Sequence, residues 1–296
     1  MDHKGLDRLQ ELRKLNANPM WINDDLYRLM YKRDLYVIAY ERIKSSPGNM
    51  TPGVDDETLD GFSKKTIEGV IEKMRNQSFQ FIPADRIYIP KPNGKTRPLG
   101  IPTPKDKIVQ DVIRMILECI YDGDNPTFLD SSHGFRPNRG THSCLKVVRG
   151  WHSVNWFVEG DIRGCFDNVD HHTLIALLSK RIKDQRFLDL IWKALRVGYM
   201  EGRIPKNSLT GTPQGSIISP ILANIYLHEF DLWVEKFVRN HSNGNRKRIN
   251  PSYTKIVKER RRVKNGKKPA SLAQAAGSGM HRRVKETHLE AQRACA

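Results

Sequence analysis

Residues 156–171 read Trp-Phe-Val-Glu-Gly-Asp-Ile-Arg-Gly-Cys-Phe-Asp-Asn-Val-Asp-His, and the reading of this stretch decides the fold. Trp156 to Ile162 is an apolar run that ends in an acidic residue, the pattern of a buried strand delivering a carboxylate at its tip. A glycine turn follows, and a helix is expected from about His172 to Ile182. A carboxylate in such a place suits Mg²⁺, which takes oxygen ligands and completes its shell with substrate phosphates. Asp161 is therefore a candidate metal ligand, while Asp167 and Asp170 equally suit the capping of the next helix.

Downstream, Gly211-Thr212-Pro213-Gln214-Gly215-Ser216 is a glycine-rich turn that leads into a long helix over 216–238, burying Ile217, Ile221, Ile225, Leu232 and Phe237. Backbone amides at a helix start favour phosphate, and glycine permits close approach of a substrate. A plain capping turn uses the same residue types. Residues 187–200 read as one further helix.

Upstream, residues 85–101, Asp-Arg-Ile-Tyr-Ile-Pro-Lys-Pro-Asn-Gly-Lys-Thr-Arg-Pro-Leu-Gly-Ile, form a β-hairpin pattern around Asn93-Gly94. Lys91, Lys95 and Arg97 surround the tip and together suit a triphosphate, with Arg97 able to bind bidentately. A two-residue Asn93-Gly94 loop would pair Lys91 with Thr96 and send Arg97 to the other face, whereas a three-residue loop is expected to set Lys91 opposite Arg97, so a joint clamp requires that register or a bulge. Thr103-Pro104 opens the next helix as cap and first residue, and Ile108 to Ile120 give it about four turns of apolar face. Residues 7–45 and 62–78 carry helical spacing as well, with Ile67, Val70, Ile71 and Met74 as a buried face. Strands and helices without regular βαβ alternation give an α+β class.

The 296 residues carry a net charge of +17, unevenly spread. Residues 239–296 hold 16 Lys/Arg against 3 Asp/Glu, whereas residues 1–238 hold 34 against 30. The basic block reads as largely irregular, with weak helical spacing after His281, and attracts a polyanion or acts as a solvated tail. No apolar run approaches the 18 residues of a membrane span, and the first residues lack the apolar core of a signal peptide. Cys119, Cys144, Cys165 and Cys295 lack paired spacing. A cytoplasmic, bacterial-type location without membrane contact is expected.

Four blocks, taken in order, resemble the reverse transcriptase domain of group II intron-encoded proteins (maturases). They are RIYIPKPNGKTRPLGIPTPKDKIVQ (86–110), SSHGFRPNRGTHSCL (131–145), FVEGDIRGCFDNVDH (157–171) and GTPQGSIISPILANIYLHEFD (211–231). The resemblance implies a right-hand polymerase fold: a helical extension over 1–50, fingers over 51–104, part of the palm over 105–172, a return to the fingers over 173–211, a palm helix over 212–238 and a basic insertion over 239–296. It implies Asp161 as the first catalytic aspartate, holding Mg²⁺ with the carbonyl of Ile162. Phe166 matches the steric gate under the nucleotide sugar. Lys91 and Arg97 match the holders of the incoming triphosphate, and Gln214 and Gly215 the turn beside nucleotide and template. The implied partners are intron RNA, an RNA template with DNA primer, and deoxynucleotides, with two Mg²⁺ ions as cofactors. Arg13, Lys14, Lys32, Arg33, Arg246, Lys247, Arg248, Arg260, Arg261 and Arg262 are the expected RNA contacts.

One element of the family pattern is missing from these residues. Its second metal-binding element is a Tyr-x-Asp-Asp hairpin, but the only Asp-Asp pairs here are Asp24-Asp25 and Asp55-Asp56, both far upstream. The expectation is a fingers and incomplete palm, with no thumb, that binds RNA without polymerising. A homodimer through the apolar faces of helices 108–120 and 216–238 is a further expectation. A non-catalytic splicing factor and a retron-like reverse transcriptase are the alternative readings.

Overall fold

The computed structural model describes residues 4–241, apart from 47, 49, 93, 153, 155, 156, 203, 207, 209, 213 and 214, and then residues 251–265. Contacts divide the chain into two units, Met1–Phe237 and Val238–Ala296.

The first unit is built around one buried helix. Thr103 caps it by accepting the Asp106 amide, Pro104 fills its first turn, and α4 (Pro104–Tyr121) follows. Ile108, Val109, Val112, Ile113, Ile116 and Leu117 are wholly buried, together with polar residues such as Gln110 and Asp111. A helix covered on nearly every side sits inside a core rather than on its edge. Around it stand α1 (Lys4–Leu15), α2 (Arg33–Lys44) and α3 (Lys64–Arg75), the last presenting Ile67, Val70, Ile71 and Met74 inward as its spacing predicts. The two short helices α6 (His171–Leu178) and α7 (Gln185–Arg196) pair with each other and continue the same core. Between α4 and α6, α5 (Thr141–Arg149) buries no residue.

A four-stranded sheet has the order β2-β1-β3-β4. Strands β1 (Ala84–Pro90) and β2 (Thr96–Ile101) form the expected hairpin, and β3 (Tyr199–Glu201) runs parallel to β1 and antiparallel to β4 (Ile204–Lys206). Pairing continues from Ile89 opposite Arg97 to Lys91, whose amide donates to the Lys95 carbonyl at 2.7 Å. Three residues therefore separate Lys91 from Lys95, so the two-residue loop is not adopted, and the three-residue loop sets Lys91 opposite Lys95 and not opposite Arg97. Proline explains the difference: a two-residue loop would need an N–H from Pro92 to close it, and proline has none.

Four other expectations are corrected. Residues 157–162 are not a buried strand: they carry no strand pairing, and Phe157 and Val158 are 68% and 92% exposed. The physical reason is the lack of a neighbour, since none of the four strands runs beside this segment to take its backbone hydrogen bonds. The helix expected over 187–200 ends at Arg196, and Tyr199 begins β3, with Gly198 at φ 75° marking the break. Helix α8 (Ser219–His241) buries Ile221 and Ile225 but leaves Leu232 and Phe237 40% and 48% exposed, Phe237 stacking on Trp233 of its own helix and not entering the core. The apolar face of 108–120, expected to await a partner, is already covered.

The second unit contains α9 (Pro251–Lys264), a helix where irregular chain was expected. Proline at the first helical position and a run of Lys, Glu and Arg explain it, since these are good helix formers once the entry turn is set. Most of its residues are exposed and none is buried. The helical pattern after His281 lies outside the described residues.

Candidate active site

The turn that carries the predicted steric gate is held by its own backbone. Gly164 takes φ 59°, the amide of Asp167 donates back to its carbonyl at 3.0 Å, and Asn168 Nδ2 donates to it at 2.9 Å. Phe166 to Asn168 form a single tight turn, after which Asp170 caps α6 by accepting the Thr173 amide at 2.7 Å. The Thr173 hydroxyl and then that amide hold the Asp170 carboxyl below its ordinary range. The capping role weighed for Asp170 is the one it plays.

The glycine-rich turn docks directly on this element. The Thr212 amide donates to the Phe166 carbonyl at 2.7 Å, and the Gly211 amide to the Val169 carbonyl at 2.8 Å. Buried His171 places its Nε2 2.6 Å from the Gly211 carbonyl. Gly211 itself has φ 89°, and a Cβ there would stand 2.8 Å from the Asp167 carbonyl oxygen. Only glycine meets both conditions without strain.

The other end of the same turn meets the hairpin. Gly215 has φ 104°, and a Cβ on it would overlap the carbonyl of Gly100 and approach the Leu99 side chain to 3.0 Å. Side chains alternate along a strand, so Leu99, Arg97 and Lys95 lie on one face of β2 and its extension, with Lys91 opposite Lys95 on that face. The observed register thus puts Lys91, Lys95 and Arg97 on the same face that receives Gly215. Gln110 of α4 pins the exit from the turn, its Oε1 accepting from Ser216 Oγ at 3.1 Å and from the Ile217 amide at 2.9 Å.

Phe166 meets the ring of Phe135 edge-on, with centroids 6.1 Å apart. Phe135 is a non-glycine residue at φ 55°, a conformation that needs support. Its neighbour Arg136 supplies it: the buried guanidinium grips Asp122 and donates to the carbonyls of Leu129 and Ser132, both at 2.9 Å. Gln110, Phe135 and Arg136 lie within quoted sequence blocks, yet residue type alone gave them no role. Both long-range contacts, Gln110 to the 216–217 turn and Phe135 to Phe166, join segments far apart in the chain.

Asp161 and Ile162 are exposed, on the chain leading into this assembly. The Asp161 carboxylate is near enough to add to the burial that raises the Cys165 thiol. Gln214 lies outside the described residues. Among the described residues no group of three His, Cys, Asp or Glu side chains is arranged to hold a metal. Asp161 and the Ile162 carbonyl would be two oxygen donors to one Mg²⁺ ion, and among the described residues no further carboxylates join them, so the donors present do not fit a two-ion centre.

Of the expected RNA contacts, Arg13 pairs with Asp124 at 3.5 Å and Arg33 with Glu68 at 4.0 Å, while Lys14 is exposed and Lys32 half-buried. Arg260, Arg261 and Arg262 lie exposed on α9 in the second unit, and Arg246, Lys247 and Arg248 lie outside the described residues. The described cysteines, Cys119, Cys144 and Cys165, are free thiols. No helix among the described residues is long and apolar enough to cross a membrane.

Residues 89–247 match the family model for reverse transcriptase (RNA-dependent DNA polymerase), which takes in the hairpin from Ile89 onward, the Phe166 turn and the glycine turn. The chain belongs to the reverse transcriptase family. It is 43% identical over 260 residues to the group II intron-encoded protein LtrA of Lactococcus lactis subsp. cremoris, covering 87% of this chain and 43% of that protein. It is 47% identical over 234 residues to an "Uncharacterized 91 kDa protein in cob intron" of Schizosaccharomyces pombe, covering 78% of this chain and 29% of that one. The chain spans less than half the length of these relatives. Among solved structures, a chain of a partial Cas6-RT-Cas1--Cas2 complex covers 71% of this chain, at 21% identity and a TM-score of 0.46. The reverse transcriptase described here is of the group II intron-encoded type, as its four sequence blocks imply. Its α+β class is the fingers-and-palm class of that family.

Proposed function

We propose that residues 1–296 bind intron and template RNA and belong to a protein that copies RNA into DNA with two Mg²⁺ ions and assists splicing and mobility of its intron. The observation that carries this reading is the double docking of the Gly211–Gly215 turn, on the Phe166–Val169 backbone at one end and on β2 at the other. Both contacts need glycine for the close backbone approach, and together they fix the turn beside the strand that carries Arg97 and faces Lys91, where a bound triphosphate would find its cations.

Within that reading, Lys91 and Arg97 hold the triphosphate, Phe166 bounds the sugar, and Gln214 and Gly215 flank nucleotide and template. Asp161 and the Ile162 carbonyl hold one side of a metal shell. The residues present lack the second carboxylate pair, so the 296-residue polypeptide binds RNA without extending a primer. The cations of α9 add a sequence-independent attraction to phosphate.

The test is binding of RNA to residues 1–296 across a range of salt. Each phosphate neutralised contributes about 0.7 to the slope of log affinity against log salt for single strands. Replacing Arg260, Arg261 and Arg262 by Ala is expected to lower that slope by about 2. An unchanged slope would remove α9 from the RNA interface.

A further inference from the structure

Away from the docked turn, a cavity of about 410 Å³ opens between α3, the extended segment 79–82 and the first turn of α4. Its walls combine two chemistries. Val70, Phe79 and Ile82 are apolar, while Lys65, Lys73 and Lys105 bring three cations to it. Lys105 is spent on Glu57 at 2.8 Å, but Lys65 and Lys73 have no carboxylate at ion-pair distance among the described residues. Asp106 also lines the cavity, with one carboxylate oxygen occupied by the Ile82 amide at 2.9 Å.

The helical wall contains a glycine. Gly69 sits in the middle of α3, faces the cavity, is exposed, and has no atom within 4 Å of the place a Cβ would occupy. Its φ is not in the left-handed region, so backbone geometry does not require it. Glycine inside a helix weakens it relative to alanine. What it provides here is a bare stretch of helix backbone flanked by Val70 and Ile82, on which a flat group can lie.

We propose that this cavity takes one nucleotide unit of a single-stranded RNA, its base over Gly69 against Val70 and Ile82 and its phosphate on Lys65 and Lys73. A basic groove along the backbone with a surface for the bases holds single strands without sequence readout; here Lys65 and Lys73 supply the charge, and the bare Gly69 backbone with the exposed Ile82 supplies the surface. Gln80, exposed at the rim, offers an amide to the base edge. The inference rests on the RNA-binding reading above and adds a place to it, lined by none of the hairpin cations.

The test is anisotropy of a labelled mixed-sequence single-stranded RNA with residues 1–296, beside a blunt duplex of the same RNA. Gly69→Leu fills the space over the helix with a good helix former, and Gly69→Ala is the control that leaves it open. Gly69→Leu is expected to weaken single-strand binding about tenfold and leave duplex binding unchanged. Lys65→Ala with Lys73→Ala is expected to weaken single-strand binding by a similar factor, and keeps the inference testable should Gly69→Leu fail to fold. Equal single-strand binding by wild type and Gly69→Leu overturns the cavity assignment while leaving the RNA reading intact. Absence of RNA binding by wild type overturns both. Competition by millimolar uridine monophosphate that Gly69→Leu abolishes would assign the cavity to free nucleotides and overturn its assignment to a chain.

Discussion

Two apolar stretches of this chain, 108–120 and 157–162, look alike as strings and have opposite fates. The first lies in α4 with its aliphatic side chains wholly buried among α1, α2 and their neighbours. The second runs exposed, with no strand beside it. A helix satisfies its own backbone and needs only side-chain partners, whereas a strand needs a neighbour for its amides and carbonyls as well. Apolar content therefore specifies burial only when the rest of the fold provides the partner.

The largest test of that contrast is in α4. Ile116→Ala should lose about 2–5 kcal/mol of stability in urea unfolding, because it leaves a cavity in a closed core. A loss below about 1 kcal/mol would show that α4 is not the centre of the packing. Next comes the docked turn. Gly215→Ala forces a side chain into the Gly100 carbonyl at a positive φ, and a loss of about 1–3 kcal/mol is expected by the same method. If the variant is as stable as wild type, the turn does not dock on β2.

A third test uses pH. Burial pushes the Asp106 carboxyl up to about 7, against the hydrogen bonds from Ile82 and Thr103 that oppose it. The folded state then holds a proton that the unfolded chain gives up near pH 4. This contribution is fully present below pH 4 and is lost as pH rises toward 7, at a rate of at most about 1.4 kcal/mol per pH unit. Asp106→Asn should flatten the fall in stability between pH 4 and 7, and an unchanged slope would remove Asp106 as its source. The smallest effect is expected at the exposed stretch. Val158→Ser should change stability by less than about 0.5 kcal/mol, and a larger loss would mean that the stretch is packed after all.

Much of the arrangement was legible in the chain. Thr103-Pro104 announced α4, the spacing of Ile67, Val70, Ile71 and Met74 announced the face of α3, and Asn93-Gly94 announced the hairpin. The hairpin's register was not, although Pro92 contained the reason. The role of Asp170 was among the readings, but those of Gln110, Phe135 and Arg136 were not. Their partners lie across the fold, and neither spacing nor residue type encodes such a meeting. Helix α9 was missed for a different reason: its cations lack the apolar period that marks a buried face, and helix propensity alone supports it.

The central claim is that these residues hold the nucleotide-facing half of a polymerase site and not the whole of it. The direct measurement is primer extension by purified residues 1–296 on a DNA-primed RNA template, with deoxynucleotides and Mg²⁺, beside an anisotropy reading of the same RNA. The account predicts saturable, salt-sensitive RNA binding and no extended primer. Mg²⁺-dependent extension that Asp161→Ala abolishes would contradict it.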